Sequence, residues 1–213
     1  MIISVRISVM KSIYKNQTGH ACRQAGFTLG SFLLEFIQSI VLALSVFVLI
    51  YLFVAQPNEV KGSSMIPNFL DKEFLLTDKL SYQFGSPQRG DVVIFKAPAS
   101  EACSAEECEY IKRVIGLPGD KVKVEGGQVY LNGELLNQSS FLSSEVMTSP
   151  GEFNQEGVEM EVPSGQYLCF GDNRPNSRDG REFGPIDRKL IVGKAFFKYW
   201  PIKSIGLIPK IRL

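Results

Sequence analysis

The sequence is poor in histidine and cysteine, the residues on which many catalytic and metal sites depend. Its 213 residues include one histidine, His20, and four cysteines without a Cys-x-x-Cys pair. A structural zinc site and a disulfide scaffold both need more of these residues. The sequence also lacks a glycine-rich phosphate loop of the Walker type and a long basic stripe that could bind nucleic acid. We therefore expect no metal, no cofactor and no nucleic-acid partner.

Charge is missing from the segment Ile37–Ala55, which reads IQSIVLALSVFVLIYLFVA. As a helix it would span roughly 28 Å, close to the thickness of a bilayer core. One alternative is a buried helix of a soluble domain, but such a helix usually keeps a polar face. Another is a cleaved signal peptide, whose apolar run is shorter and begins nearer the N-terminus. We interpret residues 37–55 as one transmembrane helix.

Basic residues cluster before this segment. Residues 1–36 carry four basic side chains and one acidic side chain, whereas residues 56–213 carry 19 basic and 21 acidic side chains. Since positively charged flanks stay in the cytoplasm, we expect residues 1–36 to form a cytoplasmic tail. Residues 56–213 would then be an extracytoplasmic domain, held at the cell membrane or at a thylakoid membrane.

Short strands and tight turns follow the apolar segment. Lys121–Glu125 alternates polar and apolar residues, and Gly126-Gly127 and Asn132-Gly133 offer two-residue turns. Such turns supply the positive φ angles that hairpins need. Further strands are predicted at residues 91–96, 166–170 and 190–200. We therefore expect a mostly β domain of curved antiparallel sheets.

The chemistry of this domain has to proceed without histidine, because His20 would lie on the other side of the membrane. A hydrolase would then need lysine, aspartate or glutamate as its base. Four segments carry candidate residues: GSSMIP at Gly62–Pro67, RGDVVIF at Arg89–Phe95, YIKRVIGLPGD at Tyr110–Asp120, and GDNRPNSRDGREFGPI at Gly171–Ile186. Taken singly, GSSMIP is typical of a plain turn and the Lys-Arg pair of a solvated strand edge.

Together and in this order, behind an N-terminal anchor, the four segments resemble bacterial type I signal peptidases over about residues 60–200. The resemblance implies an all-β fold of antiparallel sheets. It implies a membrane-bound serine endopeptidase that removes signal peptides from exported preproteins, cutting after small residues at Ala-x-Ala-like sites. It also implies a Ser-Lys dyad, with Ser64 as nucleophile and Lys112 as general base.

A lysine base needs a lowered pKa, because an unperturbed lysine has a pKa near ~10.4 and is charged at neutral pH. Burial destabilises the ammonium form. The apolar neighbours of Lys112, which are Tyr110, Ile111, Val114 and Ile115, are suited to that effect. A neutral Lys112 could take the hydroxyl proton of Ser64, as histidine does in other proteases.

The resemblance assigns supporting roles to the loop Gly171–Ile186. Ser177 matches a serine that hydrogen-bonds and orients the lysine. The ion pairs that hold the loop are expected from Asp172, Arg174, Asp179 and Arg181. An alternative use of the two carboxylates is an aspartic-protease dyad of Asp172 and Asp179, but the neighbouring arginines favour fixed ion pairs.

Some members of the family place an oxyanion-stabilising serine two residues before the nucleophile, where this sequence has Gly62. We therefore expect the backbone N–H of Ser64 to be the main oxyanion donor. Two smaller departures from the family pattern are Asn68 and Gly180. By resemblance, a shallow apolar substrate pocket is expected from Val60, Met65, Phe69, Tyr110 and Ile111. The alternative is that these are ordinary core residues.

Two other functions remain open. A self-cleaving, repressor-like protein with a Ser-Lys dyad would need a DNA-binding head, where this chain has an apolar segment. A non-catalytic, membrane-tethered binding module would not need Ser64, Lys112 and Ser177 to be intact.

Residues 98–109 and 137–157 are predicted to be surface insertions. The first contains Cys103 and Cys108, which we expect to form a local disulfide outside the cytoplasm, unless both are free thiols. An apolar C-terminal stretch around Trp200 could rest at the lipid interface, although the packing of a last strand would explain it equally well.

The charge distribution predicts the topology of the chain. Protease added to the cytoplasmic face of inverted membrane vesicles should leave residues 56–213 intact, because these residues would lie inside the vesicle. The measurement is an immunoblot of the protected fragment, with and without detergent. Digestion of the β domain in sealed vesicles would contradict the predicted orientation.

Overall fold

The fold is taken from a computed structural model, which describes residues 29–101, 108–211 and 213. The chain divides into two compact units, one that ends at Val46 and one that begins at Phe47. His20 and Cys103 lie outside the described residues, so the structure adds nothing about them.

The first element is the helix α1, Leu29–Phe53. The predicted segment began at residue 37, because Glu35 interrupts the apolar run. The helix includes Glu35, however, and runs back to Leu29. Within the described residues, only its stretch Leu29–Tyr51 is a helix long and apolar enough to cross a membrane. The rest of the protein buries none of the most apolar part of this stretch. This exposure argues against the core helix of a soluble domain.

The larger sheet has eight strands in the order β1-β2-β11-β3-β4-β9-β10, with β12 paired to β11, and all of its pairings are antiparallel. Register shifts interrupt the pairing of β11 with both neighbours, and such bulges bend a sheet. The strands are β1 (Ala55–Glu59), β2 (Phe74–Asp78), β3 (Val92–Lys96), β4 (Glu109–Gly116), β9 (Gln166–Phe170), β10 (Ile186–Asp187), β11 (Ile191–Trp200) and β12 (Gly206–Leu207).

The smaller sheet has four strands in the order β7-β6-β5-β8. They are β5 (Lys121–Glu125), β6 (Gln128–Leu131), β7 (Glu134–Leu135) and β8 (Met160–Glu161). Gly126 and Gly127 have φ angles of 57° and 78°, and Asn132 and Gly133 have φ angles of 52° and 86°. These are the left-handed conformations that the two predicted turns require. Two short helices, α2 (Ser81–Phe84) and α3 (Gly180–Phe183), complete the described elements together with three 3₁₀ turns. The prediction of a mostly β, antiparallel fold after one apolar helix is confirmed.

Residues 137–157 are mostly exposed, as predicted for a surface insertion, but four of their side chains are buried: Phe141, Leu142, Thr148 and Asn154. Phe141 and Leu142 are buried in the same apolar cluster as Val122, Leu168 and Phe170. The segment is mostly polar, and its two buried apolar residues are adjacent rather than periodically spaced. No sequence pattern therefore predicted that they would pack into the core. The segment joins β7 to β8 of the smaller sheet, and its buried residues share one apolar cluster with that sheet and with β9.

Gly193 lies in β11 where the strand passes between β2 and β3, and a methyl group there would clash with the backbone oxygen of Asp78. We expect Gly193→Ala to lower the free energy of unfolding by about 1–3 kcal/mol, the usual cost of overpacking. Gly206→Ala in β12 is the matched control, since no atom lies within 4 Å of its added methyl. Thermal unfolding of both variants tests this, and equal melting temperatures would contradict it.

Candidate active site

Ser64 lies in the loop that follows β1. Val60 anchors the start of this loop by exchanging backbone hydrogen bonds with Glu73 and Lys72, at 2.8 Å each. Gly62 has a φ angle of 87°, and its N–H donates to Asp71 Oδ1 at 2.7 Å. A side chain at position 62 would be strained at this φ angle, so the loop favours glycine there. Ser64 itself is half-buried, with the exposed Ser63 before it and the buried Met65 after it.

Lys112 lies in β4 and is 4% exposed. Its Nζ forms a hydrogen bond of 2.7 Å with Ser64 Oγ. Pairing of β4 with β3 places Lys112 opposite Val93, and the ring of Tyr110 lies 5.4 Å from the amine. The fold thus brings the two predicted dyad residues, 48 positions apart in sequence, into contact.

The pKa of Lys112 is lowered from 10.5 to about 8, and burial is the largest cause. The carboxylates of Asp179 and Asp172 oppose this shift, and the Arg181 guanidinium adds to it. A pKa near 8 leaves a useful fraction of the amine neutral close to physiological pH. A neutral amine that contacts a serine hydroxyl can act as its general base.

Ser177 lies near Ser64 but forms no hydrogen bond with Ser64 or Lys112. Its buried Oγ has no hydrogen-bond partner in the part of the chain that the structure describes, so the predicted bond to Lys112 is not formed. A Cβ on Gly171 would clash with the Ser177 hydroxyl and with the Ser64 carbonyl oxygen. Ser177, Gly171 and Ser64 are therefore packed together, and the hydroxyl of Ser177 is held close to the reacting groups.

Two buried ion pairs hold the loop beneath the dyad. Arg113 donates to both oxygens of Asp172 at 2.8 and 2.6 Å. Arg181 donates to both oxygens of Asp179 at 2.8 and 2.9 Å. Each carboxylate is thus occupied by its own arginine, which leaves no shared proton between Asp172 and Asp179 for an aspartic-protease dyad.

Arg174 does not form the ion pair that the sequence suggested. Its guanidinium donates to the backbone oxygen of Gly171, to Thr148 Oγ1 and to Gln138 Oε1. Burial lowers the pKa of Arg174 to about 10. The arginine that pairs with Asp172 is Arg113 instead. The position of Arg113 directly after Lys112 could have indicated this pairing. Neighbouring residues in a strand point to opposite faces, so Arg113 points away from the face of Lys112.

A cleft of about 420 Å³ opens over the dyad. Of the five predicted pocket residues, Tyr110 and Ile111 line it, next to Ser64 and Lys112. The other three lie elsewhere, since Val60, Met65 and Phe69 are buried in the apolar cluster with Leu75 and Ile94. These three were predicted by the resemblance, but they are core residues that support the loop of Ser64. Phe69 also lines a separate cavity of about 400 Å³.

Sequence reasoning missed four charged or amide residues that line the cleft: Asn58, Glu59, Lys61 and Glu109. Asn58 Nδ2 donates to Glu109 Oε2 at 2.6 Å, and Thr77 Oγ1 donates to Asn58 Oδ1 at 2.7 Å. The bond from Asn58 to Glu109 connects β1 to the start of β4.

Asn68, noted only as a departure from the family pattern, donates to Asp172 Oδ2 at 2.9 Å and to the Phe141 oxygen at 2.8 Å.

The described part of the chain contains Cys169 and Cys108, and Cys108 lines the cleft. Cys108 is disulfide-bonded, whereas Cys103, the partner that the sequence predicts for it, lies outside the described residues. Cys169 is buried and free, and burial raises the pKa of its thiol. Within the described residues, no three histidine, cysteine or acidic side chains lie close enough together to hold a metal ion.

Comparison with known proteins matches residues 33–200 to the family described as signal peptidase, peptidase S26. Signal peptidase I of Leptolyngbya laminosa is 37% identical over 177 residues, covering 82% of this chain and 83% of its own length. Probable signal peptidase I-2 of Synechocystis is 35% identical over 175 residues, covering 82% and 77%. Signal peptidase IB of Staphylococcus aureus is 34% identical over 183 residues, covering 81% and 92%.

A crystal structure of a signal peptidase I from Enterococcus faecalis is also similar. It aligns with a TM-score of 0.40 at 30% identity, covering 51% of this chain and 96% of that chain.

The buried amine of Lys112 should destabilise the folded chain at neutral pH. Its pKa is about 8 in the fold and 10.5 as the ordinary value, a difference that corresponds to about 3 kcal/mol. The folded state binds fewer protons between these two values, so the free energy of unfolding rises as pH rises from about 8 to 10.5. We expect Lys112→Met to be more stable than the unaltered chain at pH 7, by up to about 3 kcal/mol less the lost hydrogen bond to Ser64.

Denaturant unfolding of the full chain in detergent, at pH 7 and at pH 10, tests this. The advantage of Lys112→Met should shrink at the higher pH. Lys96→Met, at an exposed position, is the control and should show no such dependence. A destabilised Lys112→Met at both pH values would show that burial of the amine costs little.

Proposed function

From the premise that this chain belongs to the signal peptidase family, peptidase S26, we propose that it removes signal peptides from exported preproteins as a serine endopeptidase. Ser64 is the nucleophile and Lys112 is the general base. The observation that carries the proposal is the 2.7 Å contact between Lys112 Nζ and Ser64 Oγ, made by a lysine whose pKa is lowered to about 8.

In the proposed reaction, neutral Lys112 accepts the hydroxyl proton as Ser64 Oγ attacks the scissile carbonyl carbon. The electron pair of the carbonyl double bond moves to its oxygen, which accepts a hydrogen bond from the backbone N–H of Ser64. Collapse of this intermediate breaks the carbon–nitrogen bond, and the ammonium of Lys112 protonates the leaving amine. Water then hydrolyses the acyl-enzyme, again with Lys112 as base.

The free edge of β4 supports an extended substrate. Residues 109–113 pair with β3 on one side, whereas β9 pairs with β4 only from Arg113 onward. The start of β4 lines the cleft and can add a strand there, so that backbone hydrogen bonds hold the peptide beside Ser64. Tyr110 and Ile111, with Pro57 and Ile94, give the cleft apolar walls. Such walls suit small apolar residues, as in Ala-x-Ala-like sites.

The helix α1 supports membrane anchoring. Its large apolar side chains are exposed and need an apolar medium to cover them. We place the anchor within Leu29–Phe53, the cytoplasmic tail before it, and the catalytic domain from about residue 56 onward on the extracytoplasmic side. Trp200, Ile202, Ile205 and Leu207 are exposed as well, which supports contact of the catalytic domain with the bilayer. The membrane is the cell membrane or a thylakoid membrane.

The two other functions considered have less support. The relatives that cover most of this chain are signal peptidases, which does not favour a self-cleaving repressor. A buried lysine amine is expected to destabilise the fold at neutral pH. A non-catalytic binding module would have no use for such a lysine in contact with a serine hydroxyl.

The dyad predicts a sharp pattern among variants of the full chain. Ser64→Ala should abolish cleavage of a preprotein, because the nucleophile is gone. Lys112→Arg should also be inactive, because a guanidinium stays protonated and cannot act as a base. Ser63→Ala is the matched control and should keep most activity, since the Ser63 side chain is exposed. The measurement is the initial rate of a single cut at an Ala-x-Ala site.

The cleavage rate of the unaltered chain should rise with pH through an apparent pKa of about 8, as Lys112 loses its proton. Near-normal activity of Lys112→Arg would show that lysine is not the base.

A further inference from the structure

The backbone N–H of Ser64 is free within the described part of the chain, where it donates to no acceptor. The carbonyl of Ser63 belongs to the same peptide unit and is held twice. It accepts from the backbone N–H of Ile66 at 3.2 Å and from Asn173 Nδ2 at 2.9 Å. A trans peptide is planar, and its C=O and N–H point in opposite directions. Fixing the Ser63 oxygen therefore fixes the direction of the Ser64 N–H.

Asn173 also holds the peptide on the other side of the nucleophile. Its own backbone N–H donates to the carbonyl oxygen of Ser64 at 2.9 Å. One residue of the loop Gly171–Ile186 thus binds both carbonyls that flank the Ser64 N–H and side chain. The dyad contact with Lys112 fixes only the Ser64 hydroxyl, so the orientation of the backbone needs a separate support.

An amide side chain is suited to this position. The Ser63 oxygen only accepts hydrogen bonds, so it needs a donor, and the side-chain nitrogen of asparagine supplies one. Aspartate has the same shape but would set a carboxylate oxygen against the carbonyl oxygen. A donor bonded to the Ser63 carbonyl also polarises the peptide, which makes the Ser64 N–H a stronger donor.

We propose that Asn173 is a positioning residue that orients the Ser63–Ser64 peptide so that the Ser64 N–H faces the oxyanion of the reaction. This inference rests on the proposed function, in which Ser64 is the nucleophile. Asn173 does not contact the substrate. It acts through the peptide that it holds, and its effect is largest when negative charge has developed on the carbonyl oxygen.

The test compares Asn173→Asp and Asn173→Ala in the full chain, in detergent, against one preprotein. We expect kcat to fall about 10- to 100-fold in both, somewhat less than the loss of an oxyanion donor itself, while KM changes less than about threefold. Asn173→Ala introduces no charge, so it separates the lost donor from any electrostatic effect on Lys112. In Asn173→Ala the apparent pKa of the rate should stay where it is in the unaltered chain.

The matched control is Asn176→Asp, the same change three residues along the same loop. The Asn176 side chain is exposed and forms no hydrogen bond within the described residues, so this variant should keep its kcat. Equal losses in Asn176→Asp and Asn173→Asp, together with an active Asn173→Ala, would overturn the proposal. So would a loss in Asn173→Ala that appears in KM alone or that follows a lowered melting temperature.

Ser64→Ala distinguishes a failure of the proposed function from a failure of the proposed role of Asn173. If Ser64→Ala still cleaves, the proposed function fails. If Ser64→Ala is inactive and Asn173→Ala is fully active, only the role of Asn173 fails.

Discussion

The burial of Lys112 beside Ser64 is the constraint on which the other features of the domain depend. The amine has to be kept from water to lower its pKa, yet it must contact a hydroxyl that a substrate can reach. Burial of Lys112 in β4, which pairs with β3, meets the first requirement. The half-buried loop after β1 meets the second, since it brings Ser64 to the amine from the side of the cleft. The sheet therefore sets the charge state of Lys112, the proposed base, and the loop sets the access of Ser64 to the cleft.

The buried arginines protect the lowered pKa of Lys112. The Asp172 and Asp179 carboxylates favour the ammonium form, whereas the Arg181 guanidinium disfavours it. Arg113 and Arg181 each bind one of these carboxylates, and the charge of Arg181 offsets part of their effect on the amine. Such buried pairs add little net stability, since desolvation offsets much of their attraction. Their contribution is to hold the loop Gly171–Ile186 against Ser64 while the pKa of Lys112 stays low.

The segment at residues 137–157 completes this support. Gln138 and Thr148 accept hydrogen bonds from Arg174, and the Phe141 ring lies 4.4 Å from the guanidinium carbon of Arg113. Asn68 joins Phe141 to Asp172, and so to the loop that holds Ser64. A segment that resembles a solvent-exposed insertion in sequence thus carries the partners of two buried arginines.

The sequence by itself determined the apolar helix and the antiparallel β class, and it singled out Ser64 and Lys112 as the proposed dyad. Each of these depends on local patterns: an uncharged run, turn residues with positive φ angles, and short blocks around Ser64 and Lys112. Only the tertiary structure decided which arginine pairs with Asp172, that Val60, Met65 and Phe69 lie beneath the loop rather than in the cleft, and that Asn173 holds the Ser63–Ser64 peptide. These contacts join residues 50 or more positions apart in most cases. They follow from how the sheets and loops pack, and a local pattern carries no information about a partner that packing alone selects.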